Sequence, residues 1–560
     1  MGGGGSGNFV SHIAGARWLK QGLNPSLVER ACAIFLQDVA DADNFASVAA
    51  YIDRFGAPTP KRPIHFVLTQ RPEDLSLPKF HAGCAFRFPG VIPRASERTR
   101  DAYDTQLVAE DAARRLVTFL HRELGVGASI GHALELVRVY DGGCPERSSN
   151  LSHLVHARDF LFDRKDLLTG DEENIGELID GDEYLQLQIR LNGEVALHPT
   201  EGYVASSEPP EMRSRRQELA RAHINKALDH FTRAAGATAL RPLADLLAWL
   251  ADEDPRNIVA FALAPLTGLA NLFAIDERGI LRDRLVRVFG QLFAWDNCAP
   301  HFWTRSPQAV NILKNQFNVD CDTDAVEYVL KQFGLCRKLE HVVLVPTEVL
   351  KTSEQLAFHQ ELDERLRTQD FNSLPPLQRL WRQWNSIKGD KAQIIFDPAV
   401  IFLAHRLECE GSHLAQTNSL MDMASVRFVQ HDGAEFGWDR PVFQMAPDDG
   451  LGSSDRVLKS AAIQGAEVLE REGDRESAQA MHKQATATCE RDLGANQPDA
   501  GHVAMLDRDV TKKTHWQAAL EIKDGELYGN ELLALLAYHP KACEARCSHW
   551  SANGLRSSSI

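Results

Sequence analysis

His539, Cys543 and Cys547 recur every four residues, so on one continuous helix they would share a face. Imidazole and thiolate are the ligands zinc prefers, which makes these three weak candidates for a metal site. Pro540 ends any helix arriving from the amino-terminal side, and structural zinc sites favour C-x-x-C knuckles. Free thiols beside a surface histidine are therefore the expected state. His153, His156 and Asp159 turn through about 300° on a helix, too far round to meet on one ion. Cys298 and His301 form a weaker pair.

His359 and Asp363 have the His-x-x-x-Asp spacing of some acyltransferases, with Phe436-Gly437-Trp438 a faint echo of a second motif, but the surrounding lengths do not match. Asp41 and Asp43 open like a calcium loop, yet Ala46 stands where the turn glycine belongs and Ile52 where the closing glutamate belongs. Asp252, Glu253 and Asp254 precede Pro255 and suit a helix start, where the dipole favours negative charge. Gly2, Gly4 and Gly7 satisfy G-x-G-x-x-G with no strand ahead of them, and Gly125, Gly127 and Gly131 miss that spacing by one. The phosphate-loop, H-E-x-x-H and G-x-S-x-G patterns do not occur. No catalytic residue and no cofactor is implied.

Met1-Gly2 with Ser6 fits the N-myristoylation pattern and would place an acyl chain on Gly2; a flexible Gly-Ser leader is the competing reading. The net charge of −16 argues against a dedicated nucleic-acid binder, because phosphate affinity comes from Lys and Arg that release counterions. Arg213, Arg215, Arg216 and Arg221 are interleaved with Glu211 and Glu218, as on a solvated helix face. Ten sparse cysteines without a secretory leader point to a reducing compartment and against secretion. Asn257 to Ile275 is uncharged over 19 residues, but Pro265 and Gly268 interrupt it and acidic residues flank it, so buried helices and no transmembrane segment are expected.

The elements that must position these residues read as mostly helical. Residues 14–55 give two helices, and 101–124, 211–235, 239–251, 257–273, 279–295, 307–317, 322–334, 353–369 and 375–387 give more. Strand-like runs are 64–69, a hairpin over 184–197 around Asn192-Gly193, and 341–345, 393–396, 425–430 and 441–445. The expected class is α+β, predominantly α-helical, with small β-hairpins and one small mixed or antiparallel sheet. Four regions follow: an amino-terminal arm with a helical and irregular segment (1–100), a helix plus hairpin (101–210), a helical core domain (211–390) and an α+β region (391–560).

A long chain without catalytic signature, whose glycine- and serine-rich ends need neighbours to order them, reads as a self-assembling shell subunit. The concrete expectation is a viral capsid protein. Without a basic arm, it suits a double-stranded RNA virus whose encapsidated nucleic acid touches the shell only weakly and non-specifically. Its partner would be itself, in the virion or host cytoplasm. The alternative is a soluble intracellular enzyme, or an N-myristoylated host-directed effector, with a dispersed active site.

Overall fold

The computed structural model describes residues 27–38, 42–69, 102–143, 225–295, 315–350, 353–388, 394–409, 420–431, 442–447 and 514–537. Eleven strands run in chain order as Cys32–Gln37 (β1), Ile64–Leu68 (β2), Val137–Asp141 (β3), Leu240–Arg241 (β4), Ile258–Ala262 (β5), Leu285–Gly290 (β6), Ala294–Trp295 (β7), His341–Leu344 (β8), Met421–His431 (β9), Val442–Pro447 (β10) and His515–Ile522 (β11). They form one sheet in the order β4-β3-β2-β1-β5-β6-β8-β11-β9-β10-β7. Neighbours are parallel except where β9 meets β10 and β11.

The helices are Leu27–Arg30 (α1), Ala42–Phe55 (α2), Ala102–Arg122 (α3), Ile130–Leu136 (α4), Leu243–Asp252 (α5), Thr267–Ile275 (α6), Ile280–Arg284 (α7), Phe317–Asp320 (α8), Thr323–Leu335 (α9), Thr347–Leu350 (α10), Ser353–Arg367 (α11), Pro376–Lys388 (α12), Asp397–Cys409 (α13) and Gly525–Leu536 (α14), with a further helix over 225–235. They cover both faces of the sheet. Ala33 and Phe35 of β1 enter one core with α2, α3, α4, α11, α12, α13 and α14. Cys32, Ile34 and Leu36 enter the other with α5, α6 and α9. Helices on both faces of a mostly parallel sheet make the arrangement doubly wound.

That burial corrects the expected fold class. The sheet is large and mostly parallel, and the molecule is α/β rather than predominantly helical with small sheets. β1, β2 and β5 are buried at every residue. A strand covered on both faces has no alternation of apolar and polar residues, so its run looks like part of a buried helix. β1 therefore lies inside the helical reading of 14–55, and β5 and β6 inside those of 257–273 and 279–295. Asn257 to Ile275 is β5 followed by α6, and among the described residues no helix is long and apolar enough to cross a membrane. Residues 394–396 are an irregular lead into α13, and the hairpin over 184–197 lies outside the described residues. All four regions of the sequence reading contribute strands to the one sheet.

Parallel register also aligns an aromatic row. Phe66, Phe35, Phe261 and Phe289 stand opposite one another on β2, β1, β5 and β6, with successive ring centroids 5.2, 4.8 and 5.6 Å apart. Each such pair adds about 0.5–1.5 kcal/mol beyond area burial.

The amino edge is closed by a charged clamp. Asp254 does not open a helix; it follows the end of α5. Its two carboxylate oxygens accept from Arg256 Nε at 2.8 Å and Nη2 at 2.6 Å. Arg256 Nη1 reaches the Ala31 carbonyl at 3.3 Å, and Arg284 donates to the carbonyls of Leu250, Asp254 and Arg256. The start of β1, the end of α5 and the approach to β6 are thereby tied together.

Candidate functional site

β1 leads through α2 to β2 and β3 on one side, while β5 lies on its other side and leads through α6 to β6. The strand order thus reverses between β1 and β5. The segments after these two strands leave toward opposite faces, since α2 and α6 belong to different cores. In open α/β sheets the crevice at the carboxyl ends of such strands is where ligands bind.

The residues at this edge are polar and buried. Gln37 closes β1; its Nε2 donates to the Asn44 carbonyl at 3.0 Å and to Ser47 Oγ at 2.7 Å. Asn44 in turn donates to Asp397 Oδ2 at 3.0 Å, at the start of α13. Beyond β5, Thr267 donates to Asp322 Oδ2 at 2.5 Å, and Asn271 Nδ2 donates to the Gly142 carbonyl at 2.8 Å. Beyond β6, the Gln291 carbonyl accepts from Asn318 Nδ2 at 3.2 Å. Three buried amide atoms at this edge have no hydrogen-bond partner: Gln37 Oε1, Asn271 Oδ1 and Gln291 Nε2. Native interiors seldom leave such atoms unsatisfied, and a bound molecule is one way to satisfy them.

Two further features mark the same edge. Phe293, just past β6, is the one non-glycine at positive φ among the described residues, at 62°. Strained backbone of this kind concentrates at functional sites. At the end of β3, burial pushes the Asp141 carboxyl above the ordinary range and Glu110 adds to this, against the lowering effect of the Gly143 amide, which donates to Oδ1 at 2.9 Å. No lysine or arginine stands among edge residues 37–38, 42–47, 69, 141–143, 263–271, 291–295, 315–323, 345–347 and 394–397.

α6 approaches β2 and β3 so closely that this wall of the carboxyl edge requires glycine. A Cβ on Gly268 would lie 2.7 Å from Val67 Cγ1 and 2.8 Å from Thr69 Oγ1. Gly268→Ala is expected to cost about 1–3 kcal/mol of stability through overpacking. A urea midpoint equal to that of the parent protein would show that the wall yields freely.

The residues singled out from the sequence fall elsewhere. His359 is fully buried; its Nδ1 donates to the Gln355 carbonyl at 2.7 Å and its Nε2 accepts from the Ile395 amide at 3.3 Å. Asp363 is occupied by Asn385 and Arg367. The His-x-x-x-Asp spacing is therefore core architecture. Trp381 packs its edge near His359 in the same core. Gly2, Asp41, His153, His156, Asp159, Cys298, His301, His539, Cys543 and Cys547 lie outside the described residues. Among the described residues no group of three or more His, Cys, Asp or Glu is placed to hold a metal ion. Sequence reading missed Gln37, Asn271, Gln291 and Asn318. The available signal was a polar residue directly after an apolar run, as in Phe35-Leu36-Gln37 and Phe289-Gly290-Gln291.

No protein-family model matches the chain, and no curated protein matches it in sequence. Among solved structures it is similar to the inosine-uridine preferring nucleoside hydrolase of Bacillus anthracis, at 9% identity and TM-score 0.38, over 90% of this chain and 99% of that one. It is also similar to the plant nucleoside hydrolase PpNRh1, at 12% identity and TM-score 0.41, over 92% and 99%. A third is the type III effector protein XopQ complexed with adenosine diphosphate ribose, at 11% identity and TM-score 0.33, over 71% and 86%. Likeness of this degree assigns no activity.

The shell-subunit expectation, with its capsid, virion and double-stranded RNA virus associations, is corrected. It relied on ordered ends, and both ends lie outside the described residues. The described chain instead builds one large, mostly parallel α/β sheet whose strand order reverses between β1 and β5.

Proposed function

We infer that the chain is an enzyme acting on a small, uncharged, hydroxyl-bearing molecule at the carboxyl edge of β1, β5 and β6. The observation that carries this reading is the set of unpartnered buried amide atoms on Gln37, Asn271 and Gln291. Carboxamides both donate and accept, as hydroxyls do, so the two are matched. Leaving such a group unsatisfied costs about 1–3 kcal/mol, which a ligand hydroxyl would recover. The described edge offers amides and a carboxyl, on Gln37, Asn271, Gln291 and Asp141, which suit the hydroxyls of a neutral ligand. Carboxylates supply the acid–base chemistry. The raised carboxyl of Asp141 retains its proton to higher pH than usual and suits donation to a leaving group.

Calorimetry with neutral nucleosides and free pentoses, set against their phosphorylated forms, tests the reading. The neutral compounds are expected to bind and the phosphates to bind more weakly. Gln291→Met should weaken binding about tenfold, the effect of losing one good hydrogen bond. It should leave the thermal midpoint unlowered, because it deletes a group that has no partner in the free protein. A variant that melts earlier yet binds unchanged would reject the assignment.

A further inference from the structure

One peptide unit, between Gly142 and Gly143, joins two of the groups at the carboxyl edge. Its carbonyl accepts from Asn271 Nδ2 at 2.8 Å, and its N–H donates to Asp141 Oδ1 at 2.9 Å. Asn271 is fully buried on α6, whereas Asp141 is half-buried at the end of β3. An amide and a carboxyl far apart in the chain thus meet at opposite ends of the same peptide.

The surrounding backbone holds that unit in place. The Gly142 amide donates to the Leu68 carbonyl at 2.8 Å, which ties the peptide to the end of β2. A Cβ on Gly142 would lie 2.7 Å from that carbonyl oxygen and 2.7 Å from Val67 Cγ1. Gly143 has a φ of 84°, and a Cβ there would lie 2.7 Å from Asn271 Nδ2. A side chain at either position would push β2 or Asn271 away, so both glycines are needed for the contact. Among the described residues Asp141 Oδ2 makes no hydrogen bond or ion pair.

Hydrogen bonds in series polarise one another. The Asn271 donor draws electron density onto the Gly142 oxygen and makes the Gly143 N–H a stronger donor to Asp141. That bond favours the ionised carboxyl, against burial and the charge of Glu110 on α3, the one charged group acting on Asp141 among those described.

We propose that Asn271 is a positioning residue that acts on Asp141 through this peptide, fixing Oδ1 as the acceptor and leaving Oδ2 as the oxygen that carries and gives up the proton. On donation the Oδ2–H bond breaks, the proton passes to the oxygen or nitrogen of the leaving group, and the carboxylate charge left behind is met by the Gly143 N–H. Asn271 Oδ1 has no partner and takes no part in this relay. The proposal rests on the reading of Asp141 as the acid.

Glycine labelled with carbon-13 at the carbonyl and nitrogen-15 at the amide isolates this peptide in the full-length protein, because the other Gly–Gly steps of the chain all lie between Gly2 and Gly5. The Gly143 amide resonance should titrate with the Asp141 carboxyl and lose that titration in Asp141→Asn. Asn271→Leu keeps the volume and removes the donor. In it the Gly142 carbonyl and the Gly143 amide proton should both shift upfield, and the titration midpoint should rise, because a weaker bond then holds the carboxylate. Asn271→Ser, whose shorter side chain withdraws the donor, supplies the same readout if the leucine variant does not fold. A Gly143 shift and midpoint unchanged in the folded variant overturns the proposal, as does a Gly143 amide in the parent protein that does not follow Asp141. Failure of the underlying reading looks different: with the peptide signature present but no binding of neutral nucleosides or pentoses, the relay stands and the acid role of Asp141 falls.

Discussion

Acidification from pH 7 to pH 5 is expected to remove roughly 2 kcal/mol of folding free energy for each of two buried histidines, His65 and His359, from the linkage of protonation to unfolding. Burial lowers His65 from 6.5 to about 3, and Arg138 adds to the effect. Its ring is enclosed by Trp249 at 4.4 Å and by Tyr140, whose hydroxyl is 3.1 Å from Nδ1, while Nε2 has no partner. Burial lowers His359 from 6.5 to about 4. Its two nitrogens donate to one backbone group and accept from another, an arrangement that only the neutral ring can make. Both folded values lie below the unfolded one, so the stabilisation is complete above about pH 6.5 and is lost as pH falls toward 4 and 3. Urea midpoints at the two pH values measure the drop. In His65→Phe it should shrink by about 2 kcal/mol, one histidine's share under the same linkage; an unchanged slope would mean that His65 is as easily protonated in the folded protein as in the unfolded chain.

Replacing Asp254 with alanine should cost about 3–5 kcal/mol, the range for breaking one partner out of a buried ion pair. The side chain is 3% exposed. Burial alone would raise its carboxyl, but hydrogen bonds and charge from Arg256, helped by Arg284, outweigh that and hold it below the ordinary range. Its stabilisation is therefore present above about pH 4, the unperturbed carboxyl value, and disappears only as pH falls further. This separates the clamp from the histidine window. Asp254→Ala combined with Arg256→Met should recover part of the loss, because Arg256 is then not left without its carboxylate. Chemical denaturation of the parent protein and the two variants decides the matter: a double variant no more stable than Asp254→Ala would mean that the carboxylate matters through Arg284 and the backbone rather than through its pair.

Helices that keep one wet face were legible in the sequence. Residues 101–124, 322–334, 353–369 and 375–387 carry helical patterning and emerge as α3, α9, α11 and α12, with boundaries shifted by a residue or two. The β-branched runs at 64–69, 341–345 and 441–445 emerge as β2, β8 and β10. What was not legible is the centre of the sheet. Cys32–Gln37, Ile258–Ala262 and Leu285–Gly290 bury both faces, and burial on both faces erases the period that distinguishes a strand from a helix.

The candidate site was hidden for a related reason. Gln37, Asn271, Gln291 and Asn318 are separated by up to 281 residues, the difference between positions 37 and 318, and amides have no spacing rule that announces them. His359 and Asp363 had a suggestive spacing, and only the bonds of His359 to Gln355 within α11 and to Ile395, and of Asp363 to Asn385 of α12, revealed it as structural. Sequence by itself determined the acidic charge, the amphipathic helices and the absence of easily named motifs. Tertiary structure alone decided that β1 and β5 lie side by side with the strand order reversing between them. That reversal depends on non-local pairing, which no window of the chain encodes, and it is what brings distant polar residues to one edge.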